Sequence, residues 1–244
     1  MKSNTYFKEQ ALGALRGNWI KAVVLTLVYI LLFSAAQGTA TYASLQMSDK
    51  MAELGGSGSI YEMASVLQDP EYLEIQRKSN GLTGGSTLLM IFVMLPFTVG
   101  YINSLKRLLV NGDTSLLGNA VEISTTGYFH KLWGMFLMKL LLCLWALLLV
   151  IPGIIKLYSY AMTPFILEEY PELTASESIH RSRMMMRGHK FDLFWLQLSF
   201  FGWFLLCLLT AGIGFLWLKP YYNTALSGFY QEIRADYAQN GGLD

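Results

Sequence analysis

The chain is poor in charged residues and has only two cysteines. Charged side chains make up 14% of its 244 residues, against roughly 25% in soluble domains. Cys143 and Cys207 both lie inside apolar runs, so neither a disulfide framework nor a cysteine metal site is expected. The net charge of +1 provides no basic field of the kind that attracts nucleic acid. We therefore expect no nucleic-acid partner.

Recognisable catalytic patterns are also missing. The sequence has no Walker loop, no Gly-x-Ser-x-Gly elbow and no Rossmann glycine pattern. Its three histidines, His130, His180 and His189, show no His-x-x-x-His spacing, which does not favour a metal site. Glu168-Glu169 resembles the paired glutamates of some intramembrane proteases, but Leu173 stands where those enzymes need an arginine. We expect no enzyme, no catalytic residue, no metal site and no cofactor.

Long apolar runs dominate the chain instead. Hydrophobic residues make up 53% of it, and about 20 apolar residues in a helix cross a bilayer core of ~30 Å. The candidate runs are 20–41, 86–105, 131–151, 154–169, 191–210 and 213–231. The first exceeds the ~7–15 residues of a signal-peptide core, so we expect it to be retained. The sequence predicts an all-α, polytopic membrane helix bundle with six transmembrane helices, in a single integral membrane domain over 1–244.

The second half of the chain contains an internal repeat. His130-Lys131 lies 59 positions before His189-Lys190, and Pro152-Gly153-Ile154 lies 59 positions before Ala211-Gly212-Ile213. The two glycine-containing segments both have the composition of tight turns. Neither leaves room for a soluble loop between the two spans that it joins. With a weaker first copy, this pattern predicts three pseudo-repeated hairpins, each entered by an interfacial amphipathic helix. The predicted units cover 5–105, 114–169 and 174–234.

Lys and Arg predict the orientation of the bundle. If there are six spans, one side carries Lys2, Lys8, Arg16, Lys21, Lys106, Arg107, Lys131, Arg181, Arg183, Arg187, Lys190 and Arg234. The opposite side holds segment 43–85, which has three cations and six anions. By the positive-inside rule, this acidic segment is external. We expect a multi-pass protein of the bacterial cytoplasmic (inner) membrane with both termini in the cytoplasm.

The external segment 43–85 combines linker-like and helix-forming sequence. Residues 55–59 and 84–86 are rich in glycine and serine, a composition typical of flexible breaks. Between them, Asp69-Pro70 favours the start of a new helix. The segment is either a partly ordered loop or a small cap that docks a protein partner.

An amphipathic helix is predicted between the fourth and fifth spans. Thr174-Ala-Ser-Glu177 is a capping box, and Ala175, Ile179, Ser182 and Met186 share one face. The cations of this region are Arg181, Arg183 and Arg187, followed by His189 and Lys190. Such a helix lies in the membrane interface, where its cations reach anionic head groups of lipids on the cytoplasmic face.

Two lysines lie deep inside predicted spans. Lys139 is eight residues into the third run and Lys219 is near the middle of the sixth, with no Asp or Glu at comparable depth. A lysine at such a depth costs about 2.5–3.5 kcal/mol on insertion scales, which favours an anionic partner such as a lipid phosphate or a solute. The alternative is that each lysine extends to the interface or bonds to backbone carbonyls freed near a proline.

Prolines recur in the even-numbered spans. Pro96, Pro164 and Pro220 each remove a helical hydrogen bond, so we expect kinks in spans two, four and six. The kinks either surround a polar central cavity, as in transporters, or are one packing feature shared by three similar hairpins.

Three blocks of the chain resemble a known family. They are Lys8-Glu9-Gln10-Ala11-Leu12 through Trp19, the run from Ile151-Pro152-Gly153 to Glu168, and the segment from Arg181-Ser182 through Gly188-His189-Lys190 to Pro220-Tyr221 and Phe229-Tyr230. They resemble a bacterial integral-membrane family known as domain of unknown function nine-seven-five, and leave out segment 43–85. The resemblance implies a membrane protein but no settled activity. The chain is also distantly similar to the membrane domain of some glycerophosphodiester phosphodiesterases, whose catalytic domain it lacks.

Three functions are compatible with these features. The leading hypothesis is a non-enzymatic inner-membrane protein that binds anionic lipid, or an amphipathic anionic ligand, within or beside the bundle. Its predicted contacts are Lys139, Lys219, Arg181, Arg183, Arg187, His189 and Lys190. The alternatives are a transporter of small solutes or lipids whose kinked even spans line a path, and a membrane scaffold or assembly subunit that uses segment 43–85.

Overall fold

The protein is built from helices. The computed structural model describes residues 2–54, 68–148 and 150–239, and every regular element among them is helical. The α-helices are α1 (Asn4–Leu15), α2 (Trp19–Leu54), α3 (Pro70–Leu89), α4 (Leu95–Asn111), α5 (Leu116–Thr125), α6 (Tyr128–Leu148), α7 (Val150–Ser159), α8 (Thr163–Glu169), α9 (Ala175–Met185), α10 (Lys190–Ser199), α11 (Phe201–Leu209) and α12 (Phe215–Gln239). A π-helical segment (Met90–Met94) joins α3 to α4. The all-α prediction is confirmed.

Some of these helices are long and apolar enough to cross a membrane. Within the described residues they are Tyr128–Leu148 and Lys190–Leu209, and 22% of the residues in either span are buried. A third span is added if α1 and Trp19–Ser34, which meet at 98°, form one broken span. Most apolar side chains of these two helices are therefore exposed, a pattern typical of helices that cross a membrane. The number six and the threefold repeat stay predictions.

Residues Ile30–Met94 form one compact unit. In it α3 begins at Pro70 as predicted, and the Asp69 carboxylate accepts a hydrogen bond from the backbone N–H of Tyr72 at 3.1 Å. The predicted break at 84–86 is wrong, because these residues lie inside α3. The helix continues through the glycines to Leu89 and is followed directly by the π-helical segment. The other predicted break, 55–59, lies outside the described residues.

The second unit contains Met1–Tyr29 and Leu95–Asp244, and its core is aromatic. Phe165 of α8 stacks on Tyr230 of α12 with ring centroids 4.6 Å apart. Phe7 of α1 meets Phe229 edge to face at 5.8 Å. At Gly228, a Cβ would lie 2.6 Å from the Gln10 side-chain oxygen, so the glycine lets α1 lie directly against α12.

Two tight hairpins join helices of this unit. Between α11 and α12, Ala211 and Gly212 have φ of 50° and 89°, and a Cβ at Gly214 would lie 3.0 Å from Cys207 Cα. Between α6 and α7, a Cβ at Gly153 would lie 3.0 Å from Ala146 Cα. The predicted position of this second turn needs correction, since α7 already begins at Val150. Pro152 is tolerated in its first turn because backbone N–H groups there have no helical acceptor.

The three prolines affect their helices differently. Pro96 is the second residue of α4, directly after the π-helical segment, and Pro220 lies within the continuous helix α12. The helix is interrupted at residues 160–162, between α7 and α8, and Pro164 is the second residue of α8. The break is bridged by Ser182 of α9, whose hydroxyl donates to the Ser159 carbonyl at 3.0 Å and accepts from the Met162 N–H at 3.2 Å.

Candidate functional site

A network of ion pairs surrounds the end of α8. Glu168 pairs with Arg107 of α4 at 3.2 Å and with Lys131 of α6 at 3.5 Å. Glu169 pairs with Lys106 of α4 at 3.2 Å and with Arg234 of α12, and it accepts a hydrogen bond from the Tyr230 hydroxyl at 3.0 Å. Two adjacent carboxylates therefore hold the ends of three other helices together.

Lys131 is the most deeply buried cation of this network. Its side chain is 5% exposed, and it donates to the carbonyls of Ile123 at 2.6 Å and Thr126 at 2.8 Å. These carbonyls lie at the C-terminal end of α5, where helical acceptors are left free. The lysine thus ties α6 to α5 as well as to Glu168. This arrangement is that of a structural clamp, because each carboxylate already has two cationic partners.

Sequence reasoning missed this network, although it considered Glu168-Glu169 as a protease pair. The signal was present in the order of charges along the chain. Lys106-Arg107 follows the second predicted span, and Glu168-Glu169 ends the fourth. Two basic and two acidic residues that end spans on the same predicted side are complementary. Only packing shows that they meet.

Lys219 contacts aromatic rings. Its ammonium lies 3.3 Å from the ring centroid of Tyr29 and 5.4 Å from that of Tyr101. Tyr101 is held by a hydrogen bond between its hydroxyl and Thr26 at 3.0 Å. A cation over a tyrosine face is stabilised by the ring quadrupole, and more strongly where water is excluded. Within the described part of the chain no carboxylate lies within ion-pairing distance of Lys219. Lys139, by contrast, is exposed on α6.

The capping box before α9 is present as predicted. The Glu177 N–H donates to the Thr174 hydroxyl oxygen at 3.3 Å, and the Thr174 N–H donates to the Glu177 carboxylate at 2.7 Å. Hydrogen bonds from the Thr174 hydroxyl and N–H lower the pKa of the Glu177 carboxyl from its ordinary value. The predicted apolar face of α9 is buried, and the helix packs against α6 and α8. Protein therefore covers the apolar face of α9.

The cations on and after α9 divide into engaged and available ones. The Arg181 guanidinium lies 3.9 Å from the ring centroid of Tyr170, and Arg183 is 3.0 Å from the His180 ring nitrogen. The His189 ring contacts the carboxylates of Asp192 at 3.3 Å and Asp236 at 3.2 Å.

Two cations of the same region remain available. Arg187 is exposed and Lys190 is half-buried, and neither pairs with a carboxylate of the described residues. Within the same residues, no group of three or more His, Cys, Asp and Glu is placed to hold a metal ion.

An apolar groove of about 400 Å³ lies between α1, α2, α11 and α12. It is lined by Leu12, Trp19, Trp203, Leu206, Cys207, Thr210, Gly214, Trp217, Leu218 and Tyr221. The sequence analysis did not find this groove, because its walls come from two stretches separated by nearly 200 positions. No local pattern signals such a pairing.

Comparison with known proteins identifies a family without an assigned activity. The family model of DUF975, described as a protein of unknown function, matches residues 1–237. No curated protein and no solved structure matches the chain. The distant similarity to the membrane domain of glycerophosphodiester phosphodiesterases stays a prediction.

Proposed function

We propose that this chain, which belongs to the DUF975 family, is a six-span inner-membrane protein that binds anionic lipid at its cytoplasmic face. The observation that supports binding is the division of charge on that face. Glu168 and Glu169 each have two cationic partners, and Glu177 belongs to a capping box. Arg187 and Lys190 follow the same helix with no carboxylate partner among the described residues. These two cations are the primary contacts.

The six-span topology accounts for this charge distribution. Most residues of each of the six apolar runs lie in helices among the described residues, and tight hairpins join α6 to α7 and α11 to α12. Segment 43–85 carries a net charge of −3, so the rest of the chain carries +4. Anionic lipids attract such cations by about 1 kcal/mol each near the membrane surface. The proposed orientation places the positive part of the chain at the anionic cytoplasmic leaflet.

The other predicted contacts take secondary roles in this proposal. Arg181, Arg183 and His189 already contact side chains, so they position the corner between α9 and α10. Lys139 is exposed and extends toward a phosphate from the face of α6. Lys219 is satisfied by Tyr29 and Tyr101, which makes it a structural cation. The transporter and scaffold hypotheses stay predictions, and part of segment 43–85 lies outside the described residues.

The test replaces the two available cations together. The Arg187→Gln, Lys190→Gln variant should bind phosphatidylglycerol roughly tenfold to thirtyfold more weakly than the parent, from about 1 kcal/mol per cation. Native mass spectrometry of protein released from nanodiscs of mixed phosphatidylglycerol and phosphatidylcholine measures the retained anionic lipid.

The matched control removes the same charge from the external segment. Arg77 and Lys78 are both exposed on α3, and the Arg77→Gln, Lys78→Gln variant should retain lipid as the parent does. Equal retention by both double variants would refute the proposal. A Lys139→Leu, Lys219→Leu variant with unchanged lipid would assign binding to Arg187 and Lys190 alone.

A further inference from the structure

The apolar groove between α1, α2, α11 and α12 has the lining of a hydrocarbon site. Three of the chain's six tryptophans line it: Trp19, Trp203 and Trp217. Trp203 and Leu206 are each 53% exposed, so the groove is open along one side. Near the hairpin it is closed by the close approach of Gly214 to Cys207. Its volume of about 400 Å³ falls in the range of about 300–1,000 Å³ found for ligand sites.

An exposed cation, Arg16, comes four residues after the groove residue Leu12 and lies on the same side of that helical turn. Arg16 is exposed, and its backbone N–H bonds to the Leu12 carbonyl at 3.0 Å. In the chain it stands between Leu12 and Trp19, which both line the groove. Its side chain forms no ion pair with the described residues. The structure therefore places an exposed arginine next in the chain to two residues of the groove wall, Leu12 and Trp19.

A neighbouring lysine on the same helix is already engaged. Lys8 is one turn before Leu12, and its ammonium donates to the Ser199 carbonyl at 2.6 Å and lies 4.6 Å from the Phe200 ring centroid. These contacts support the backbone where α10 ends and α11 begins. Of the two cations four residues before and after Leu12, Lys8 is engaged, whereas Arg16 forms no ion pair with the described residues.

We propose that this groove holds an acyl chain of an anionic membrane phospholipid whose phosphate is bound by Arg16. The inference rests on the proposed function, since it names a second lipid site for the same ligand class. Apolar walls that open sideways admit hydrocarbon from the bilayer. An arginine at the membrane boundary selects the anionic head group through charge-assisted hydrogen bonds to phosphate, while Trp19 has the side chain preferred at that level.

Tryptophan fluorescence tests the site directly. Replacing Trp133, Trp145 and Trp195 by phenylalanine leaves only the three groove tryptophans as reporters. This protein is reconstituted into phosphatidylcholine vesicles containing a fixed fraction of brominated phosphatidylglycerol or brominated phosphatidylcholine. We expect the anionic brominated lipid to quench more strongly, with about fivefold preferential binding, the effect of one cation near the surface.

Two substitutions separate a selective site from bulk lipid. Arg16→Gln should make the two brominated lipids quench equally, whereas Lys21→Gln, at an exposed cation of α2 outside the groove lining, should leave the preference intact. Equal quenching in the parent would mean unselective bulk lipid and would overturn the inference. Absence of quenching by either lipid would mean that protein, such as a second copy, covers the groove, and would overturn it as well. Either failure, together with weaker lipid retention by Arg187→Gln, Lys190→Gln, would leave the proposed function standing.

Discussion

Glu168 shows how one side chain can hold several helices of the protein together. Its carboxylate pairs with Arg107 and Lys131, and the side chains of Glu168 and Lys131 are 15% and 5% exposed. Desolvation of a buried ion pair offsets much of its attraction, but the loss of one partner leaves a charge without compensation. Removing the charge of Glu168 should therefore destabilise the protein by more than the net attraction of its ion pairs.

Glu168→Gln should destabilise the protein although it preserves the shape of the side chain. Lys131 would keep its two carbonyl acceptors but lose its anion, and Arg107 would keep only the more distant, exposed Glu122. We expect a loss of about 3–5 kcal/mol in the free energy of unfolding, measured by denaturant titration in detergent. The control is Glu172→Gln at an exposed position four residues later. Equal stability of the two variants would show that the clamp contributes nothing.

Lys219 shows where the residue-level prediction was incomplete. The absence of Asp and Glu at its depth is a property of the sequence, and we took it to favour an anionic ligand. Tyr29 and Tyr101 provide a different partner, because an aromatic face also attracts a cation. The sequence contains both tyrosines, but nothing in their spacing places them beside position 219.

At the scale of elements, side chains of neighbouring helices form hydrogen bonds with the backbone where a helix is interrupted. α7 and α8 are separated at Tyr160–Met162, which frees backbone groups that lipid cannot bond. Ser182 bonds one donor and one acceptor there, and Asn103 of α4 donates to the Pro164 carbonyl at 2.9 Å. Side chains of α4 and α9 therefore form hydrogen bonds with backbone groups at and next to the break between α7 and α8.

Ser182→Ala should loosen this break. It would leave the Met162 N–H and the Ser159 carbonyl unpaired, at about 1–3 kcal/mol per buried group. Hydrogen–deuterium exchange should accelerate at Met162. The matched control on α9 is Ser178→Ala, because the buried Ser178 hydroxyl has no hydrogen-bond partner among the described residues. If both variants exchange alike, the serine bridge does not stabilise the break.

At the scale of the molecule, the distribution of Lys and Arg along the chain predicts a membrane topology that reporter fusions can test. If six helices span the membrane, reporters fused after Asp113, Glu172 and Asp236 should all be cytoplasmic. A reporter inserted within 55–67 should be external. If instead only α2, α6 and the α10–α11 pair span, fusions at Asp113 and Asp236 would be external. Paired fusions to alkaline phosphatase, active outside, and to a fluorescent protein, active inside, measure each position.

Periodicity and composition predicted the helical class, helices long and apolar enough to cross a membrane, the capping box at Thr174 and the hairpin at 211–214. Each depends on local chemistry, such as the length of an apolar run, a cap three residues before its partner, or glycines in a turn. The start of α7 and the course of α3 through its glycines depend on neighbouring parts of the structure, so local sequence pattern predicted them poorly.

The sequence alone was enough to predict a helical chain with apolar helices long enough to cross a membrane, because hydrophobic length and backbone hydrogen bonding act within short stretches. Tertiary packing was needed to determine which charges meet. It brought Lys131 to Glu168 and Lys219 to Tyr29, and it built one groove from α1 and α12. These contacts join residues that are tens to hundreds of positions apart in the chain. Their free energy depends on how deeply each group is buried, and burial cannot be determined from one stretch of sequence.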